Sequence, residues 1–274
     1  MAARFSRDKL KPFHFGAPDR RLFGCVQEPQ SVPARKCGIV LCYPMGQEHI
    51  RFHRAYRQLG LLLSRVGFSV LRFDFYGCGD SGGIFEEGSL AGWLDDVDVA
   101  CEELKGRVGV ETVCLVGLRL GGTLVTMAGA GRRDLAAMVL WDPVISGPRY
   151  VDELLALHRD MLRYAHVETE RKLLGEAPTE ILGFPLTEAL RSELEQLDLL
   201  SMPSSAVSPV MLIETHPTMS QERLKQYLGS RGAQVSSLEQ PDPKLWVWIE
   251  DFSQVLVPHQ LLQSIVSWVS ERCP

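Results

Sequence analysis

Apolar positions along the chain alternate between short continuous runs and longer periodic stretches. Gly38-Ile39-Val40-Leu41-Cys42-Tyr43 is an unbroken apolar run, the pattern of a strand buried on both faces. Phe52, Tyr56, Leu59, Leu63 and Val66 then recur at helical spacing, and Gly67 ends the helix they predict. Phe68–Phe73, Val113–Val116 and Ala137–Trp141 repeat the short buried run. Between them, Trp93, Val97, Ala100 and Leu104 mark a helix with Ser89 as its N-cap, and Leu120–Ala130 reads as a helix of small residues. Before this series, Pro12 to Glu28 predicts a hairpin turning at Gly16-Ala17-Pro18-Asp19.

The alternation breaks at about Ile145. From there to Ser205 the chain is mostly helical and polar on one side, with Leu154, Leu155, His158 and Leu162, then Leu190, Leu194 and Leu197. Pro209–Ile213 restores the strand pattern, Gln221–Leu228 predicts a helix, Lys244–Ile249 a last strand, and Pro258 opens a final helix through Leu261, Leu262, Ile265, Trp268 and Val269. Strands alternating with helices define an α/β chain with a mostly parallel sheet and helices on both faces.

Composition adds limits. At 274 residues, one large domain with an insertion is the natural reading. The formal charge of -5 offers no basic patch for nucleic acid, so none is expected as a partner. Seven cysteines with no C-x-x-C pair, several in apolar stretches, read as buried reduced thiols rather than a zinc or redox site; no metal and no cofactor is expected. The start, Met1 to Lys9, has no apolar signal region, and no run reaches the roughly 18 residues of a membrane span, so a cytoplasmic protein is expected.

The motif that carries the chemistry is Val113-Cys114-Leu115-Val116-Gly117-Leu118-Arg119-Leu120-Gly121-Gly122, at a predicted strand-to-helix junction. It resembles the nucleophile elbow, G-x-S-x-G, of the α/β-hydrolase superfamily. Tyr43-Pro44-Met45-Gly46 lies where that family places an oxyanion loop. Arg72-Phe73-Asp74-Phe75-Tyr76-Gly77-Cys78-Gly79-Asp80-Ser81-Gly82 is similar to the turn after the fourth strand in its serine aminopeptidase and esterase branch. The resemblance covers nearly the whole chain. It implies an eight-stranded, mostly parallel sheet flanked by helices. Core segments would be 1–144 and 206–274, with a helical cap at 145–205. It also implies that Met45 and Leu120 supply oxyanion-hole N–H groups, with Gly46 and Tyr76 beside them. The elbow glycines would be Gly117, Gly121 and Gly122, where Gly117 and Gly121 leave no room for a side chain.

Where the family holds its serine, this sequence holds Arg119. A guanidinium stays protonated and is no nucleophile. A cation beside a helix N-terminus calls for an anion, and topology offers Asp142, Glu48 and Glu214. The family's histidine loop, here Glu250–Val257, has none; His259 falls in the next helix, and His216 follows Glu214 in what reads as a surface loop. Ser81 reads as a turn residue, Cys78 lacks a base, His49 and His53 suit a solvated face, and His158 a helix surface.

Two readings of Arg119 stand side by side: a fork that binds a carboxylate or phosphate, or a plug paired with an internal acid. The function expected is that of a hydrolase-family protein without the Ser-His-Asp triad. It would bind an anionic or acyl small molecule through Arg119 and the oxyanion region, with a protein partner or homodimer as a further possibility. The alternative is turnover of esters or thioesters by non-serine chemistry, with Arg119 as electrophile and Asp142, Glu214, His216 or His259 as base. An ordinary serine hydrolase using a serine elsewhere is the weakest of the three.

Overall fold

A computed structural model describes residues 10–31, 33–164, 179–202, 209–215, 219–240 and 257–273. The opening hairpin forms as β1 (Leu10–Ala17) and β2 (Arg20–Gln27), paired antiparallel from Leu10↔Gln27 to Ala17↔Arg20. The apolar runs become β3 (Cys37–Cys42), β4 (Ser69–Asp74), β5 (Thr112–Leu118) and β6 (Leu135–Trp141). They are joined by α1 (Gly46–Arg65), α2 (Leu90–Val108) and α3 (Leu120–Gly129). Ser89 caps α2 by accepting a hydrogen bond from the Gly92 amide at 3.1 Å, and Gly109 in the left-handed region closes it.

After β6 come α4 (Gly147–Tyr164), a short antiparallel pair β7 (Glu180–Ile181) and β8 (Phe184–Pro185), and α5 (Glu188–Glu195). The chain then returns to the sheet with β9 (Val210–Glu214), α6 (Met219–Ser230), β10 (Val235–Glu239) and α7 (His259–Arg272). The eight sheet strands run in the order β1-β2-β4-β3-β5-β6-β9-β10, with β1, β2 and β4 related antiparallel and all other neighbours parallel. Val235–Glu239 is a strand that its sequence hides. Its Ser-Ser centre and half-exposed positions suit a sheet edge and give no apolar run. The strand expected at Lys244–Ile249 lies outside the described residues.

The core forms two layers. On one face Tyr56, Leu59 and Leu63 of α1 meet Leu262, Ile265 and Val269 of α7 over Ile39, Val116 and Val139. On the other, Trp93 and Val97 of α2 and Leu124 of α3 pack with Val40, Leu115 and Leu140, and Leu154, Leu190 and Leu194 of the 145–205 segment join the same cluster. Parallel strands β3, β5, β6 and β9 thus end on one edge of the sheet, where a crevice is expected in an open α/β sheet. Among the described residues no helix is long and apolar enough to cross a membrane.

Backbone meets backbone closely at that edge. A Cβ on Gly121 would come within 2.4 Å of the Cys42 carbonyl oxygen and 2.5 Å of that of Tyr43; on Gly117 it would meet the Gly121 oxygen at 2.3 Å. Gly122 is less extreme, its nearest neighbour being Pro143 at 3.1 Å. Gly106, exposed on α2, has nothing within 4 Å. Gly121→Ala should therefore lower stability by about 2–4 kcal/mol in urea unfolding. Gly106→Ala in the same assay should raise it by about 0.5–1 kcal/mol, the entropy that glycine forfeits in a helix.

Candidate functional site

Arg119 is the single residue between β5 and α3, and it holds φ 52 and ψ -122. For a residue with a Cβ this is strained backbone, at an order of 1–3 kcal/mol. Hydrogen bonds pin it on both sides: its amide donates to the Trp141 carbonyl at 3.0 Å, and its carbonyl accepts from Thr123 at 3.1 Å and Val144 at 3.3 Å. Asp142, at the end of β6, is also strained, at φ 40. Both line a cavity of about 400 Å³ at the carboxyl edge of the sheet. Strain of this kind clusters at functional sites.

The guanidinium is 15% exposed and held by two acids. Its Nε donates to Glu48 Oε1 at 3.0 Å, and its Nη2 donates to Glu153 Oε2. Glu48, in the first turn of α1, also accepts from the Tyr150 hydroxyl at 2.8 Å, and the Tyr150 ring centroid lies 5.1 Å from the guanidinium carbon. Burial works against the charge on Arg119, and the carboxylates of Glu48 and Glu153 outweigh it, so the guanidinium is held above its ordinary pKa. Burial pushes the Glu48 carboxyl up, and the attraction of Arg119 and the Tyr150 hydrogen bond only partly oppose this.

Among the three acids that topology offers, the structure selects Glu48 and corrects the pairing with Asp142. Asp142 is buried and accepts instead from the Thr215 amide at 3.0 Å, the Thr215 hydroxyl, and Gln221 Nε2 at 2.9 Å. Glu214 is buried beside it, its carboxyl raised by burial and by neighbouring acids, and it does not line the cavity. His259 is exposed at the start of α7 and is also absent from the lining. His216 lies outside the described residues. Met45 is the N-cap residue of α1, and Gly46 follows at φ 59 with the Phe184 ring 3.5 Å from where its Cβ would stand. Leu120 is buried as the first residue of α3. Tyr76 is elsewhere: its ring packs 4.3 Å beneath the Arg20 guanidinium, and its amide donates to Asp96.

Other sequence expectations sort clearly. Ser81 is a turn residue: its hydroxyl donates to the Asp74 carbonyl at 2.6 Å and accepts from the Phe23 amide at 2.8 Å. Burial pushes the Cys78 thiol up to about 12, which leaves almost no thiolate at neutral pH. His158 is buried rather than on a helix surface, because its Nδ1 accepts the Leu182 amide at 3.0 Å and ties α4 to the β7–β8 turn. His49 is half-buried against the Tyr43 ring, with Nε2 3.5 Å from Asp74; His53 is exposed as expected.

Glu153, Tyr150, Arg149 and Gln221 are cavity residues that the sequence reading missed. Tyr150, Glu153, Leu154 and Leu157 follow helical spacing, so one face of α4 was visible in the sequence; which way it turned was not.

The sheet order, the elbow between β5 and α3, and the crevice above it define an α/β-hydrolase fold. The chain belongs to the serine aminopeptidase S33 family, whose sequence profile matches residues 35–219. It is similar to alpha/beta hydrolase domain-containing protein 17C of Mus musculus, 32% identical over 123 residues; the match covers 41% of this chain and 37% of that protein. Among solved structures, the esterase Pf2001 of Pyrococcus furiosus superposes with a TM-score of 0.67 at 13% identity, covering 100% of this chain and 97% of that one. Est1E of Butyrivibrio proteoclasticus, with ferulic acid bound, gives 0.64 at 18% identity, covering 95% and 98%.

The charge cluster carries a pH-dependent prediction. A carboxyl whose pKa is raised on folding contributes its full stability below its unfolded value and loses it as pH rises through its folded value. Glu48 follows that sign, so Glu48→Gln, whatever it loses by leaving Arg119 with Glu153 alone, should gain on the wild type as pH rises. Arg119→Met strands Glu48 without its cation and should cost about 2–4 kcal/mol at pH 7 and much less near pH 5. Adding Glu48→Gln to Arg119→Met should restore most of the loss. Urea midpoints of the four proteins across pH 5 to 8 check this, and a pH-independent cost of Arg119→Met would contradict it.

Proposed function

We propose that this chain is a hydrolase-family protein without serine-hydrolase chemistry, whose cavity binds an anionic or acyl small molecule. The observation that carries the reading is Arg119 itself. It stands between β5 and α3 in strained backbone geometry, at the position where the G-x-S-x-G motif places serine, with its guanidinium on the cavity wall. A guanidinium has no lone pair to attack an acyl carbon, and it matches the fork of a carboxylate or phosphate. The segment from 145 to 205 serves as the cap, because α4 contributes Tyr150, Glu153 and Leu154 to the lining. Amide groups of Met45 and Leu120 would assist at the α3 N-terminus, where backbone donors favour negative charge.

Among the described residues no histidine lines the cavity. No histidine occurs between Val235 and Pro258, and Asp142 is already bonded to Thr215 and Gln221. A second reading, acyl transfer by non-serine chemistry, draws support from Glu48, a buried carboxyl with a raised pKa beside a fixed cation. Turnover of a p-nitrophenyl ester or a thioester that Glu48→Gln abolishes would place this second reading first.

Labelling with a fluorophosphonate serine-hydrolase probe tests the main reading. Neither the wild type nor Arg119→Ser should label: the wild type has no serine at position 119, and Arg119→Ser supplies one without a base to activate it. Stoichiometric labelling of the wild type would show an activated serine and overturn the proposal.

A further inference from the structure

Arg119 has more anion than it needs. Glu48 alone neutralises the guanidinium, and it is fixed: its side chain is 9% exposed, it receives Arg119 Nε at 3.0 Å on one oxygen, and it receives the Tyr150 hydroxyl at 2.8 Å on the other. Glu153 is a second acid on the same cation, and its side chain is 56% exposed. With Arg119 and both acids ionised, the cluster sums to one negative charge. A buried ion needs a partner, but a largely exposed carboxylate loses little on returning to water. The two acids are therefore unequal: Glu48 is the structural counterion, and Glu153 is the one that can leave.

What would replace it is set by the cavity. Glu153 and Arg119 both line the 400 Å³ space, so the ion pair they make through Nη2 is within reach of a molecule in it. Val144, Ile145, Leu154 and Leu157 give that space an apolar wall, and the exposed Arg149 adds a second cation. Glu48 and Asp142 also line the space: Glu48 is matched by Arg119, and Asp142 is turned to hydrogen-bond donors at Thr215 and Gln221, which stabilise its charge without cancelling it. With Glu153 turned away, the guanidinium edge it leaves and the apolar wall beside it fit a carboxylate carrying a hydrocarbon tail.

We infer that Glu153 is an internal stand-in for the ligand, and that the ligand is an aliphatic monocarboxylate whose carboxylate displaces Glu153 from Arg119 while Glu48 stays in place. This rests on the ligand-binding reading above and adds the class of ligand and the group it competes with. No bond is made or broken; one carboxylate replaces another on the guanidinium, and Glu153 turns to solvent.

Titration calorimetry with straight-chain carboxylates from acetate to decanoate, on the wild type and on variants, tests it. The wild type should bind the longer members, and Arg119→Gln should weaken that binding at least tenfold. Removing the competitor should tighten binding about two- to fivefold in Glu153→Gln, the range expected for an exposed pair occluding its site. Glu153→Ala should shift it in the same direction. Asp152→Asn removes the same charge from the neighbouring position of α4, which is exposed and outside the cavity lining, and should leave affinity within twofold. The matching alcohols should gain nothing from either Glu153 variant. If carboxylates bind through Arg119 but Glu153→Gln and Glu153→Ala leave affinity unchanged or weaker, displacement is wrong and the ligand-binding reading survives. An equal gain in Asp152→Asn would reduce the effect to general electrostatics and also overturn it. If no carboxylate binds the wild type or either Glu153 variant at millimolar concentration, both the inference and the carboxylate reading of the site fall.

Discussion

The backbone contact between Gly121 and the carbonyl oxygens of Cys42 and Tyr43 is the constraint on which the site depends. It lets α3 start against the end of β3, directly after β5, with no intervening loop. The one residue left to make the turn must take a positive φ and carry its side chain into the crevice. Position 119 is thus specified by packing before any chemistry is considered. Gly117 and Gly121 hold the turn whatever side chain stands between them, the arginine of this chain included.

Placing a cation there has consequences that a serine would not. The guanidinium is largely removed from water and stands at the start of α3, where unpaired amides already present positive potential. It requires anions close by, and they come from separate parts of the chain: Glu48 from α1, and Glu153 from α4, with Tyr150 of α4 bonded to Glu48. One side chain therefore joins the elbow, the helix after β3 and the segment inserted after β6. The same contacts that neutralise Arg119 hold α4 over the edge of the sheet.

Much of this was legible in the sequence, for reasons that differ by element. Strands β3 to β6 are buried on both faces, and an apolar run is the direct record of that burial. Helix α2 announced its start at Ser89, and the glycines of the elbow announced the close approach. Strand β10 was illegible because an edge strand needs no apolar run, and Val235–Glu239 has a serine pair at its centre. At the site, Glu48 was within reach of topology because it follows β3 by a few residues. Glu153 was not, since its meeting with Arg119 depends on how α4 lies across the sheet, a long-range packing outcome. Asp142 shows the opposite error. Its position at the end of β6 made it a natural partner for Arg119, but Thr215 and Gln221, brought by β9 and α6, saturate it first. His158 was misplaced for a related reason: helical spacing puts it on a face, and only the β7–β8 turn decides that the face is covered.

Because a single guanidinium serves both α4 and the cavity, whatever binds at the cavity and whatever loosens α4 act on one equilibrium. Such coupling is reciprocal, and no ligand can shift α4 by more than the free energy with which Arg119 holds it. The size of that hold can be bounded. The Glu153 arm is an exposed carboxylate, and pairs of that kind contribute about 1 kcal/mol or less. The stronger tie, Tyr150 to Glu48, lies inside the cluster and does not require Arg119 to release Glu48. Leu154 and the β7–β8 pair further anchor the segment in the core on the same side. An exchange of anions at Arg119 would thus have the energy to move a side chain and too little to lift a helix, so on the proposed reading a ligand would be taken up by rearranging charges while α4 stays seated.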